Sequence, residues 1–343
     1  EAAPAAGTAA TGPIVAVTGA SGFIAGHVIK LLQSKGYRVR GTVRSLSNAD
    51  RVKHLQEDFP GLELFEADLL ADGSFDKCIA GADYVLHTAS PFQIAVEDPE
   101  RDLIAPALQG TRNVLASVKK AGGCVKRVVV TSSCAAVTAQ DPPEDKSYVW
   151  TGADWNTTST LENGAYRLSK SLAERAAWDW VEAEQKEGSS VTLVTINPSF
   201  VLGPPLSERT DGTSVAFCKW ALDGSMAASG GANGTCFGAV DVRDIAAAHV
   251  AAIEKPEASG RYICSSEAGV SGLEMCTMLR EAPDGEFAAY DIPTTEKSAP
   301  AYRPLYSHKK AETELGITFT PVETAIRDMA RALIATGMVP KKE

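Results

Sequence analysis

Residues 14 to 35 run from a β-branched, apolar stretch, Ile14-Val15-Ala16-Val17-Thr18, through a glycine turn, Gly19-Ala20-Ser21-Gly22, into a helical pattern that begins Phe23-Ile24-Ala25. A strand that enters a helix within so few residues must turn sharply. Gly19 and Gly22 permit that turn and let the backbone approach a ligand. The free N–H groups at the helix start favour negative charge, which a pyrophosphate supplies. Ala25, with Gly26 beside it, is small enough for close packing of helix on strand.

The order strand, helix, strand then recurs. Residues 38–43, 62–66, 84–87 and 127–131 are short runs suited to buried parallel strands. Helical stretches lie between them at 22–35, 49–58, 75–80 and 99–121, and a helix over 164–187 leads to a strand over 192–196. Right-handed crossovers of this kind build an α/β fold with a doubly wound parallel sheet, the Rossmann arrangement. After Asn197-Pro198 the texture changes: Gly203-Pro204-Pro205, Gly212, Gly224 and Gly230-Gly231 call for loops and short helices. A helix over 241–254, a returning strand over 261–265, and two final helices over 307–315 and 321–336 with a turn at Gly316 complete the reading. We expect a flexible lead over 1–12 that is a trimmed segment rather than an intact signal peptide. A Rossmann domain is expected over 13–197 plus 236–265, and a smaller α/β substrate-binding lobe over 198–235 plus 266–343.

Composition narrows the partners. A net charge of -10 disfavours nucleic acid and anionic membrane surfaces, and phosphates must therefore be met locally. No run reaches the roughly 18 apolar residues of a membrane span. Seven cysteines without CxxC pairs suggest reduced thiols and a cytoplasmic location, with Cys134 and Cys264 as core fillers. Five histidines without ligand spacing give no metal site, and the absence of a GxSxG elbow leaves hydrolase chemistry without support. His87, ending a buried strand, reads as a hydrogen-bonded core group. Asn156-Thr157-Thr158 and Asn233-Gly234-Thr235 match the glycosylation pattern by chance. A small-molecule partner and a monomer or homodimer are expected.

The end of the second strand selects the cofactor. It runs Val39-Arg40-Gly41-Thr42-Val43-Arg44-Ser45, with no acid to bind ribose hydroxyls and with Arg44 placed for adenine or a 2′-phosphate, helped by Ser45, Arg51 or Lys53. NADP(H) is the cofactor this implies. Asp68-Leu69 follows strand three and can touch the adenine, and Ala89-Ser90 follows strand four along the cofactor path. Farther on, Tyr166 and Lys170 are four apart on a helix and share a face. A phenol with pKa about 10 needs a neighbouring ammonium to work as an acid or base at neutral pH. Lys170 can provide that while bonding the nicotinamide ribose, Tyr166 can protonate a carbonyl oxygen, and Ser133 at the end of strand five can hold that oxygen.

The segments TGASGFIA, GTVRS, HTASPF, VVVTSSCAAV, YRLSKSLAERAAW, NPSFVLGPP, VDVRDIAAAHV and GRYICSS occur in an order that resembles the extended short-chain dehydrogenase/reductase family. Within it, the chain is similar to the branch of dihydroflavonol 4-reductases, cinnamoyl-CoA reductases and yeast-type methylglyoxal and aldehyde reductases, over about residues 13–338. The resemblance implies Ser133, Tyr166 and Lys170 as the catalytic triad and Gly19, Gly22, Phe23, Ile24, Arg44, Asp68 and Leu69 as cofactor contacts. It places Pro198 and Ser199 by the nicotinamide, and Phe92, Thr138 and Phe200 on the substrate side. Ser132 then shapes the backbone rather than the reaction. Cinnamoyl-CoA reductases carry Asn-Trp-Tyr-Cys-Tyr before the catalytic lysine where Asn163-Gly164-Ala165-Tyr166-Arg167 stands here, which disfavours a CoA thioester. Dihydroflavonol reductases place an asparagine where Thr138 stands, which weakens a flavonoid. The expected activity is NADPH-dependent reduction of an apolar or aromatic aldehyde or ketone. The alternatives are a dihydroflavonol or cinnamoyl-CoA reductase proper, a nucleotide-sugar epimerase or dehydratase, and a non-catalytic NADP-sensing protein.

Overall fold

The computed structural model describes residues 12–90, 96–208 and 212–342, and at residues 49–51 the backbone alone. Its centre is a sheet of β1 (Ile14–Thr18), β2 (Arg38–Val43), β3 (Glu63–Glu66), β4 (Tyr84–His87), β5 (Arg127–Thr131), β6 (Thr192–Pro198) and β7 (Gly260–Cys264). All neighbours are parallel, in the order β7-β6-β5-β4-β1-β2-β3. The chain runs outward from β1 through β2 and β3, returns to β4, and continues the other way. Between β1 and β4 the crossovers diverge, and a crevice opens at the strand C-terminal ends.

Burial on both faces explains why the inner strands read as continuous apolar runs. Val15, Ala16 and Val17 are fully buried, as are Val85 and Leu86 of β4 and Val128 and Val129 of β5. One face is covered by α1 (Phe23–Ser34), α2 (Ala49–Asp58) and α8 (Val242–Glu254), which contribute Val28, Ile29, Leu32, Leu55 and Ile245. The apolar stripe Ala25, Val28, Ile29, Leu32 follows helical spacing, and each of its large side chains contributes about 1.5–3 kcal/mol on burial. The other face carries the short α3 (Asp76–Ile79) with α4 (Ala105–Lys120) and α5 (Ala165–Lys186), through Cys78, Val114, Leu115, Val118, Ala177 and Val181.

The helix expected over 99–121 has two parts. Residues Glu100–Ile104 form a π turn, closed by a bond from Ala105 N–H to Glu100 O, and the α-helix follows. Pro106 has no N–H to give to the carbonyl four residues back, so the wider turn belongs where that bond is missing. The expected helix over 307–315 likewise widens into a π segment, Ala311–Leu315, ended by Gly316 at φ 72°.

A second core is separate from the two that flank the sheet. It is built from α6 (Thr213–Leu222), α7 (Ser225–Ala228), α9 (Gly272–Arg280) and α10 (Val322–Ala335), through Val215, Leu222, Met275, Leu279, Ile326 and Met329. The pair of short parallel strands Phe200–Leu202 and Ala239–Asp241 joins it to the sheet. Asp241 caps α8 by accepting from Arg243 N–H at 2.7 Å, and Arg243 bridges Asp241 (2.6 Å) to Asp328 on α10 (2.7 Å). The lobe is thereby held over the crevice. Among the described residues no helix is long and apolar enough to cross a membrane.

Candidate active site

The glycine turn is locked to its neighbours from both sides. Gly19 has φ 70°, which disfavours any side chain, and a Cβ there would lie 3.0 Å from the Cβ of Ala89. Its N–H donates to Thr42 Oγ1 (3.0 Å), Ala20 N–H to Thr42 O (2.8 Å), and Gly22 N–H to Gly19 O (2.8 Å). On the β4 side, Thr18 Oγ1 lies 2.8 Å from His87 Nδ1 and accepts from Ala89 N–H at 3.0 Å, while Thr88 donates to Thr18 O. His87 is buried, and desolvation, followed by the charge of Lys170, lowers its pKa to about 4. It is a neutral fastener of the turn, as its place at a strand end implied. Gly22, the N-cap of α1, has no side chain of its own, and the first turn of the helix borders the crevice, where a helix start presents backbone donors.

These elements border one continuous cavity of about 1690 Å³. Gly19, Gly22, Phe23, Ile24, Arg44, Asp68, Leu69, Ala89, Ser90, Pro198 and Ser199 all line it. A space this large exceeds the few hundred to about 1,000 Å³ of a typical small-ligand pocket, and it suits a dinucleotide with a second molecule beside it. Arg44 is exposed at its edge. Asp68 directs Oδ1 to Leu70 N–H (2.8 Å), and the corner is tied to α4 by Asn113 Nδ2 donating to Leu69 O (2.8 Å). Glu66 Oε1 accepts from Leu46 N–H (2.8 Å), which leaves Arg44 as the charged group presented by the β2 end. The donor-rich turn, the positive β2 end and the volume fit NADP(H). Lys53, expected to help, pairs with Glu57 at 3.8 Å along its own helix instead, and the side chain of Arg51 lies outside the described residues.

Ser133, Tyr166 and Lys170 all line this cavity. Ser133 ends β5 in an extended conformation; its Oγ accepts from Ala135 N–H at 3.1 Å and lies 3.5 Å from Pro198 O. Gly164, at φ 95°, starts α5 and turns Tyr166 toward the strand ends, where its hydroxyl is hydrogen-bonded to Ser133. One turn on, Lys170 Nζ lies 5.6 Å from the Tyr166 ring centroid and donates to Ser90 Oγ at 2.8 Å. Burial pushes the Tyr166 phenol up to about 12, opposed by the Ser133 hydrogen bond and the Arg167 charge. Burial also brings the Lys170 ammonium down to about 8. The arrangement is a neutral phenol aimed at a serine hydroxyl with an ammonium beside it. It can give a proton to an oxygen held between them.

Behind the trio lies a buried ionic hub. Glu174, one turn beyond Lys170, accepts from Ser132 Oγ (2.5 Å), Asn197 Nδ2 (2.8 Å), Thr195 Oγ1 (3.0 Å) and Arg261 Nε (2.5 Å). Asn197 Nδ2 also reaches Ser133 O at 3.2 Å. Arg261 is itself sandwiched against Trp155, with its guanidinium carbon 3.8 Å from the ring centroid. The hub fixes the ends of β5 and β6 against α5, and so the separation of Ser133 from Tyr166.

Toward the lobe, the wall is aromatic. Phe200 stacks on Phe237 (centroids 5.7 Å, 21°) and meets Phe217 edge-on (5.9 Å). Thr138 lines the cavity, but its hydroxyl is already engaged, donating to Cys134 O (3.2 Å) and accepting from Arg167 Nη1 (2.5 Å). Phe92 lies outside the described residues. Cys134 and Cys264 are buried free thiols, the former pushed up to about 12 by desolvation. Asn156 is buried and bonded to Ala135 O (3.0 Å), so the first glycosylation match is spent in the fold.

The profile of the NAD dependent epimerase/dehydratase family matches residues 15–264. The chain belongs to this family, as an extended short-chain dehydrogenase/reductase. It is 38% identical to a cinnamoyl-CoA reductase of Medicago truncatula over 332 residues, 94% of this chain and 96% of that protein. An anthocyanidin reductase ((2S)-flavan-3-ol-forming) of Vitis vinifera is 35% identical, covering 88% of this chain and 89% of its own. The crystal structure of yeast methylglyoxal/isovaleraldehyde reductase Gre2 complexed with NADPH has TM-score 0.81 at 31% identity, covering 95% of this chain and 99% of that one.

In this short-chain dehydrogenase/reductase, the described candidate residues around the glycine turn and the trio line one cavity. The sequence reading missed Glu174, Arg261, Phe217 and Phe237. Glu174 had a signal: it follows Tyr166 and Lys170 at the same four-residue spacing, on a helix face too buried to carry an unpaired carboxylate.

Proposed function

We propose that this chain, an NADP-dependent oxidoreductase, reduces an apolar or aromatic aldehyde or ketone to the alcohol. The observation that carries the reading is the Tyr166 hydroxyl bonded to Ser133, in a cavity with a dinucleotide cradle on one side and the Phe200, Phe217 and Phe237 wall on the other. NADPH, when bound, supplies the hydride. Gly19, Gly22, Phe23 and Ile24 receive its pyrophosphate, Arg44 its 2′-phosphate, and Asp68 and Leu69 its adenine; Ala89, Ser90, Pro198 and Ser199 border the rest. Ser133 holds the substrate oxygen, and Tyr166 delivers its phenolic proton to that oxygen. Lys170 keeps a positive charge beside the phenol, which eases the transfer against the burial that opposes ionisation. Phe200 and its aromatic neighbours cover the apolar part of the substrate, and Thr138 closes the floor of the pocket.

The test is oxidation of NADPH, and separately NADH, against aromatic aldehydes, α-keto esters, dihydroflavonols and hydroxycinnamoyl-CoA thioesters. Turnover of a small aromatic carbonyl, at least about tenfold faster with NADPH, is expected from one phosphate contact of about 1.5–3 kcal/mol. Preference for the thioester would transfer the substrate to the class that names the Medicago relative. No turnover despite NADPH binding would contradict the reading.

A further inference from the structure

Arg167 follows the proposed proton donor directly, and the proposed reaction gives it no task. Its side chain is half-buried and lines the cavity together with Tyr166, Thr138 and Phe200. One nitrogen, Nη1, is fixed by Thr138, to the hydroxyl at 2.5 Å and the carbonyl at 3.4 Å. Among the described residues no carboxylate pairs with it. The acids that do line the cavity are engaged elsewhere: Asp102 with Arg101 at 2.6 Å, and Asp68 with its own loop. Lys170, the other cation beside Tyr166, reaches Ser90 after β4, whereas Arg167 reaches Thr138 after β5. The two cations therefore serve different ends of the cavity. Burial raises the phenols of Tyr166 and Tyr306, both cavity residues, and the Arg167 charge partly opposes that rise, which agrees with a guanidinium close to the reacting centre.

A guanidinium is a planar fork of donors that matches a pair of oxygens, and holding one half-buried without an anion is costly. We propose that Arg167 selects α-keto acids and α-keto esters, substrates whose carboxylate or ester group is bonded directly to the carbonyl carbon that is reduced, with the fork binding that group. The chemistry is otherwise that of the proposed function, on which this inference rests. The ketone carbon gains the hydride, its oxygen gains the Tyr166 proton, and the acid or ester group beside it is unchanged.

Benzoylformate, methyl benzoylformate and acetophenone share a phenyl ketone and differ only in that group. Their intrinsic reactivities cancel when each variant is compared with the unmodified protein on the same substrate. In Arg167→Leu, kcat/KM for benzoylformate and its ester is expected to fall at least tenfold further than for acetophenone, about 1.4 kcal/mol of selective binding, chiefly through KM. Thr138→Val, which removes one anchor of the fork, erodes the same ratio to a smaller extent and decides the matter if thermal unfolding shows that Arg167→Leu does not fold. A parallel fall on all three substrates, or a ratio unmoved in both variants, would overturn the assignment of Arg167 while leaving the reductase reading intact. If the unmodified protein reduces aromatic aldehydes but none of the three, the assignment of Arg167 falls alone; if it reduces no carbonyl, both readings fall.

Discussion

Burial moves the two ionisable groups at the centre of the site toward their neutral forms. The Tyr166 phenol rises to about 12 and the Lys170 ammonium falls to about 8, because desolvation penalises whichever form is charged. Tyr166 therefore holds its proton throughout the physiological range, as a donor must. Lys170 is charged below about pH 8 and increasingly neutral above it. If its charge assists the proton transfer, kcat/KM for reduction is steady on the acid side of 8 and falls as the pH rises through that value, while Tyr166 stays protonated. In Lys170→Arg the charge survives to much higher pH, so the alkaline fall should disappear even if the rate is lower. An alkaline fall that persists unchanged in Lys170→Arg would show that another group titrates there.

At the scale of elements, α5 acts as a jig. It presents Tyr166, Lys170 and Glu174 at successive turns, and Glu174 clamps β5 through Ser132, β6 through Thr195 and Asn197, and β7 through Arg261. Removing the carboxylate leaves the Arg261 guanidinium buried without its counter-charge, a loss of about 3–5 kcal/mol for a broken buried pair. Glu174→Leu is thus expected to lower stability by that amount in urea unfolding. A change below about 1 kcal/mol would mean that the hub is not a clamp. The partners of Glu174 are far from it in sequence, and only the parallel register of β5, β6 and β7 brings them together. Glu174 itself could be suspected from helical spacing, but its partners could not be named. Helix α9 was also passed over, although Ser271 and Glu274 form a capping box with both bonds present. That signal sits in a glycine-bearing stretch whose apolar residues face the lobe core rather than the sheet, so the alternation that guided the first half of the chain did not extend to it.

For the whole molecule, the legible part is the part built from local rules. The inner strands β1, β4, β5 and β6 are short runs buried on both faces, whereas the edge strand β3 has no buried residue, and Gly19, Ser90 and Ser133 mark turns into the crevice. The sheet, the glycine cradle, Arg44 and the trio could accordingly be read from sequence. The aromatic wall could not, because Phe200, Phe217 and Phe237 are brought together by the lobe folding over the sheet edge, a long-range event. What unites the two parts is one cavity that the glycine turn, Tyr166 and the aromatic side chains all line. The central claim is that this phenol is the proton donor of a carbonyl reduction. It is tested most directly by measuring NADPH affinity and turnover of an aromatic aldehyde in Tyr166→Phe, which keeps the ring and removes only the hydroxyl. Turnover is expected to fall by about 10²–10⁴-fold, the usual worth of a positioned acid, while NADPH still binds. Turnover like that of the unmodified protein would contradict it.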